Sequence, residues 1–339
     1  GIAAAEAAGE KVKTKHCVVT GLWWAAVFNV GAAAVLFVVS GWLTRLPGAA
    51  FRESARATPR IPWTPIVSAV LLATVITSIF TIPRLDHSLW FDEEYTMRRI
   101  VVGEFKRTDE DGRSSLIGEV TPRPALWSET LWFYEMPNNH PFFSICARLS
   151  HSLFNPELKP ENPDAYYFSE RALRLPAWLA GIGSLFTVAL MLAWIGFPRA
   201  AIAAPLLLSI HPWFLRYASE ARGYVFLFFL GPLLIYLLAQ AISKGTWRWW
   251  IAYAVTQTLY VYSNASGINL LVMLNLAGFI LPFLRPETAR SDRWMLVSRL
   301  VLVNAVSAMV FIQLIMPNVL GFSTRFRPHQ NIELLINPA

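Results

Sequence analysis

Three clusters of polar side chains in this sequence have the types and spacing for chemistry. Residues 88–95, Ser-Leu-Trp-Phe-Asp-Glu-Glu-Tyr, set the consecutive carboxylates Asp92, Glu93 and Glu94 directly after an apolar run. Residues 136–143, Met-Pro-Asn-Asn-His-Pro-Phe-Phe, present Asn139 and His140 ahead of a moderately apolar stretch. Residues 217–224, Tyr-Ala-Ser-Glu-Ala-Arg-Gly-Tyr, place Glu220, Arg222 and Tyr224 between two apolar runs. A carboxylate at such a boundary can take a proton from a hydroxyl, and a guanidinium is a permanently charged planar fork suited to phosphate oxygens. Taken singly, each cluster has a plainer reading. Carboxylates after a membrane helix cap the next one, a histidine before proline sits in a turn, and Glu220 and Arg222 pair with each other or reach toward headgroups. Only their coincidence on one side of a membrane raises them above that, so the elements that carry them decide the matter.

Those elements are apolar. Of 339 residues, 55% are hydrophobic and 15% charged, more apolar surface than one water-soluble core can hide. The net charge of +7 lies in short Lys/Arg clusters between apolar runs, a pattern of membrane topology and not of a nucleic-acid face. Cys17 and Cys146 stand far apart with no metal-ligand spacing, which supports neither a disulfide framework nor a zinc site. The chain begins at Gly1, and its first apolar run is too long for a signal-peptide core and is followed by arginines, so it reads as a retained helix in a processed or incompletely registered chain.

Crossing the hydrocarbon takes about 20 apolar residues. Eight stretches approach this: 18–43, 64–84, 173–195, 200–216, 223–242, 249–263, 267–284 and 295–316. The expected fold is therefore an all-α, polytopic bundle of about eight or more spans. The positive-inside rule puts the connections bearing Arg199, then Lys244 and Arg248, then Arg285, Arg290 and Arg293 in the cytoplasm, together with the arginine-rich loop 44–63. The connections near 219–222 and 263–267, and the long polar loop 85–172, then face outward. Lys11, Lys13 and Lys15 before the first span run against this scheme. Within the outer loop, 141–154 is too short and too interrupted to span and reads as an amphipathic interface helix, making the loop helical. Three regions follow: an extension with an extra helix over 1–63, a membrane domain over 64–316 with outer loop 85–172, and an outward C-terminal segment over 317–339.

With all three clusters on one side, the ordered set resembles the GT-C superfamily of integral-membrane glycosyltransferases, which includes protein O-mannosyltransferases and the lipid A aminoarabinose transferase. The resemblance rests on Leu89-Trp90-Phe91-Asp92-Glu93-Glu94; on Asn139-His140-Pro141-Phe142, similar to a His-Pro-Pro-Leu stretch; on Glu170-Arg171-Ala172-Leu173-Arg174-Leu175-Pro176; and on Ser219-Glu220-Ala221-Arg222-Gly223-Tyr224, similar to Gln-Glu-Ala-Arg-x-Tyr. It covers about 64–316. Phe142 departs from the second proline, an extra helix precedes the acidic loop, and the chain stops short of where relatives continue.

The resemblance implies inverting transfer of a sugar from a polyprenyl phosphate to an acceptor glycan, lipid or protein, on the periplasmic face of a bacterial inner membrane. Asp92 would be the base. Glu93 would orient the acceptor or hold a divalent cation, Mg or Mn, with Asp92. Arg222, assisted by Arg174, His140 and Tyr224, would bind the donor phosphate, with Glu220 and Asn139 in support. One carboxylate opposite an arginine suits departure of a phosphate better than hydrolysis of a glycoside, which wants two carboxyl groups flanking the bond. Two other readings stay open: a non-catalytic subunit of a larger membrane complex with partner subunits, and a transporter, against which stands the gathering of ionisable groups at one interface.

Overall fold

The computed structural model describes residues 61–108, 119–132, 140–154, 168–284 and 290–325. The first apolar run, the lysines before it, the arginine-rich loop up to Arg60, and Asn139 lie outside the described residues. Helix α1, Trp63–Thr81, passes into a 3-10 turn, Ile82–Asp86. A short helix α2, Phe91–Thr96, continues as a π turn, Met97–Val101. Gly103 then takes φ of 123°, a backbone conformation closed to side-chain-bearing residues, and starts a hairpin. Its strands, β1 (Gly103–Thr108) and β2 (Glu119–Pro124), pair antiparallel with Gly103 opposite Pro124. The expected helical loop thus carries a two-stranded hairpin in addition to helices, in a polar stretch with no sustained alternation to announce it.

The rest is helical. Short α3 (Trp127–Trp132) and amphipathic α4 (Pro141–Phe154) precede the long α5 (Glu170–Trp194). In α4, Phe143, Ala147 and Ser150 are buried on one face while Leu149, Leu153 and Phe154 are exposed. Next come α6 (Pro198–Ile210), α7 (Pro212–Tyr217), α8 (Tyr224–Lys244), α9 (Trp247–Ser263), α10 (Ile268–Leu284) and α11 (Arg290–Arg325). The stretch 200–216, expected as one span, is two helices. His211 sits at φ −75°, ψ 122° because the residue before a proline is driven from helical geometry, and Pro212 opens the next helix.

Among the described residues, five helical segments are long and apolar enough to cross a membrane: 63–86, 170–194, 224–244, 265–284 and 293–314. α6, at 13 residues, rises only about 20 Å and falls short of the hydrocarbon thickness. α9 has 17 residues but mixes Trp and Tyr with Arg248 and Gln257, so it does not count among the five. α1 and α10 turn Leu71, Leu72, Val75, Ile79, Val272, Leu276 and Phe279 outward, an inside-out pattern that only lipid satisfies. By length and composition this is an integral membrane protein with a helical membrane domain.

Without a hydrophobic force between helices in lipid, close packing holds them together. Along α5, Ala177, Gly181, Leu185, Ala189 and Ala193 recur every four residues, and all five are buried. A Cβ at Gly181 would stand 2.7 Å from the Cβ of Ala218, so this glycine sets how closely α5 approaches the turn before α8. Buried polar groups pair across α9, α10 and α11: Gln257 donates to Ser307 Oγ at 2.7 Å, and Asn304 to Asn275 Oδ1 at 2.7 Å.

The helix directions sort the chain ends of these elements. The C-terminal ends of α1 and α9 and the N-terminal ends of α5 and α8 gather at one end of the bundle. Arg199, Lys244, Arg248 and Arg293 stand in the terminal turns of α6, α8, α9 and α11 at the other, where Arg299 donates to the Gly245 carbonyl.

Candidate functional site

At the end without the basic connections, two of the ion pairs are built from the adjacent carboxylates Asp92 and Glu93. Glu93 is 1% exposed and takes the N3 position of α2, where its Oε2 accepts from the Trp90 N–H at 3.3 Å. The same carboxylate receives a two-pronged grip from Arg174, Nε at 3.0 Å and Nη2 at 2.6 Å, and a further N–H from Ala221 at 2.5 Å. Arg174, 4% exposed, gives its remaining N–H groups to the carbonyls of Arg84, Leu85, His87 and Ser88. The guanidinium thus stitches the turn after α1, the start of α2, the first turns of α5 and the turn before α8 into one body.

This arrangement corrects two expectations. Arg174 has no N–H left for a phosphate oxygen. A cation needs oxygens turned toward it, whereas those of Glu93 face a guanidinium and two backbone N–H groups, so Asp92 and Glu93 do not fit one divalent ion. Among the described residues no group of three His, Cys, Asp or Glu side chains gathers in a way that fits a metal.

Asp92, one residue earlier, turns the other way. Its Oδ2 accepts from Arg222 Nη1 at 2.9 Å across 130 positions of sequence, with the Asp92 side chain 37% and the Arg222 side chain 12% exposed. The Arg222 guanidinium lies 5.4 Å from the Trp90 ring centre and 5.2 Å from that of Tyr224. Tyr224 in turn packs on Tyr217 at 5.1 Å and meets the His140 ring edge-on at 4.6 Å. Trp90, Phe91 and Trp213 are exposed around this pair, in the manner of aromatic side chains at a headgroup boundary.

Glu220 does not position Arg222 through its side chain. Its Oε1 accepts from Arg216 Nε at 2.5 Å, one turn back, and only its backbone carbonyl takes the Arg222 N–H, at 2.8 Å. The expected Glu220–Arg222 support is corrected to a Glu220–Arg216 pair, since the turn that follows α7 folds Glu220 back over Arg216 in its last turn.

His140 precedes Pro141 at the start of α4 and is 6% exposed. Its Nδ1 lies 2.9 Å from the Ser263 carbonyl at the end of α9. A carbonyl only accepts, so Nδ1 carries the proton. Burial, with Arg222 adding to it against the Ser263 bond, pushes the imidazole down to about 4, leaving it neutral at physiological pH. Gly223 makes this fit possible: a Cβ there would stand 2.7 Å from the His140 Cβ and 2.9 Å from its Cγ. Gly223 and Ser263 are site-forming residues that the sequence reading passed over; the glycine between Arg222 and Tyr224 was the one available signal.

No family model matches this chain, and no curated protein does.

Proposed function

We propose that the protein is an inverting membrane glycosyltransferase that moves a sugar from a polyprenyl phosphate to an acceptor hydroxyl at this end of the bundle. The observation that carries the reading is the meeting of Asp92 and Arg222. A carboxylate from the segment after α1 and a guanidinium from the turn before α8 share one partly open place, rimmed by aromatic side chains. The two ends of such a reaction make unequal demands. The leaving phosphate, whose last ionisation is near pH 6, needs a cation and no proton, and Arg222 supplies it. The acceptor hydroxyl needs a base, and Asp92 is freed for that role when phosphate oxygens take its place on Arg222.

A long isoprenoid tail lies in the bilayer and brings its phosphate to headgroup depth, the level at which apolar helices give way to Trp90, Phe91 and Trp213. The basic connections at the opposite end support an outward-facing site in a bacterial inner membrane. Glu93, Arg174 and Glu220 drop out of the chemistry in this proposal.

The decisive assay is sugar transfer from a radiolabelled polyprenyl-phosphate sugar by the protein in proteoliposomes. Turnover by the wild type and none by Asp92→Asn, with donor still bound, supports the reading. The Asp92–Arg222 pair, closed on itself, also favours a second reading, a non-catalytic subunit whose ion pair only braces the fold. In that case Asp92→Asn lowers the melting temperature and no donor binds.

A further inference from the structure

Among the described residues, His140 Nε2 and Arg222 Nε are the two nitrogens at this site that are buried with no hydrogen-bond partner. For a buried polar atom that is a costly state, which a bound ligand would relieve by supplying the partner. The two atoms ask for opposite things. Arg222 Nε is a donor and wants an acceptor such as a phosphate oxygen. His140 Nε2 is the reverse, because the Ser263 carbonyl at 2.9 Å holds the proton on Nδ1 and leaves Nε2 a bare lone pair. The side-chain amide nitrogen of Asn264, 3.4 Å from Nδ1, does not alter this, since the Asn264 Oδ1 is already turned to the Ser266 N–H at 2.9 Å.

We propose that His140 Nε2 accepts a hydrogen bond from a hydroxyl of the sugar carried by the lipid phosphate, and so helps select a glycosylated donor over the bare lipid phosphate. This rests on the transferase reading above and replaces the expected role of His140 as a phosphate ligand: a neutral imidazole presenting a lone pair repels a phosphate oxygen. The neighbourhood matches a sugar attached to the phosphate on Arg222. Gly223, the residue after Arg222, lies against the imidazole, and the ring of Tyr224 meets the imidazole edge-on at 4.6 Å while standing 5.2 Å from the Arg222 guanidinium. Of the hydroxyls on such a sugar, one next to the anomeric carbon would stay nearest the phosphate and so within reach of this lone pair. With its basicity depressed by burial, the imidazole stays a hydrogen-bond acceptor and takes no proton from the substrate.

Two measurements on the whole protein in nanodiscs test this. Nitrogen-15 spectra of histidine-labelled protein, with the His140 signals identified by their loss in His140→Phe, should show Nδ1 protonated and Nε2 bare at neutral pH. Polyprenyl-phosphate hexose should move the Nε2 signal toward the hydrogen-bonded range, and polyprenyl phosphate should not. Affinity for the hexose-bearing lipid should fall about tenfold in His140→Phe, the size of one hydrogen bond in a dry site, with affinity for the bare lipid phosphate unchanged; His140→Asn offers a smaller polar variant if the ring replacement misfolds. A protonated Nε2, an Nε2 signal indifferent to the hexose, or equal loss of both lipids overturns the proposal while leaving the transferase reading in place. Failure of wild-type protein to bind either lipid removes both.

Discussion

Asp92 and Glu93 are chemically near-identical neighbours, and each holds an arginine, yet the two ion pairs belong to different parts of the protein. Glu93–Arg174 is sealed, with every oxygen and N–H matched and four backbone carbonyls drawn in. Asp92–Arg222 is a single 2.9 Å contact, more than a third open on the acid side, with one guanidinium nitrogen unmatched. Helix geometry produces the split: successive residues on α2 point about 100° apart, so one carboxylate faces inward to the helix junctions and the other the rim. A saturated pair resists substitution and binds nothing, whereas an unsaturated one can exchange its partner.

The largest expected effect breaks the sealed pair. Glu93→Gln or Arg174→Met leaves an uncompensated buried charge and should cost about 3–5 kcal/mol, seen as loss of monodisperse protein or a large fall in melting temperature in detergent. The double variant should recover only part, because the carbonyls of Arg84, Leu85, His87 and Ser88 stay unmatched. Asp92→Asn sharpens the contrast. Melting temperature should hold, while sugar transfer falls about 100- to 10,000-fold, the usual worth of a general base. A smaller effect is expected at Gly223→Ala, whose methyl meets the His140 Cβ at 2.7 Å and should destabilise by about 1–3 kcal/mol through overpacking. Smallest is Glu220→Gln, which removes only a surface pair with Arg216 and should leave melting temperature and transfer close to those of the wild type.

Hydropathy made most of the membrane helices legible, because a span has little choice but to be a long apolar run. It failed at 200–216, where the pair His211-Pro212 outweighs apolarity, and in the outer loop, where the hairpin lacks an apolar run to announce it. At the site, the side-chain pairs differ from those the sequence suggested. That Asp92 and Arg222 meet was readable from the alternation of charge between the apolar runs, which assigned both to the same end of the bundle. That Arg174 belongs to Glu93 was not, since it depends on how the turn after α1 lies against α5. Glu220 beside Arg222 invited a pairing that the backbone direction forbids, and Arg216 takes its place. His140 was noticed for its type, but its tautomer is set by the carbonyl of Ser263, 123 positions away, which no local pattern reports.

The central claim is that the Asp92–Arg222 contact opens to receive a lipid-linked phosphate. A cryo-EM structure of the protein in nanodiscs with polyprenyl phosphate addresses it directly. Phosphate density on the Arg222 guanidinium, with the Asp92 carboxylate released and absent from that density in Arg222→Gln, is the expected result. An unbroken Asp92–Arg222 pair with the lipid phosphate bound elsewhere, or not at all, contradicts it.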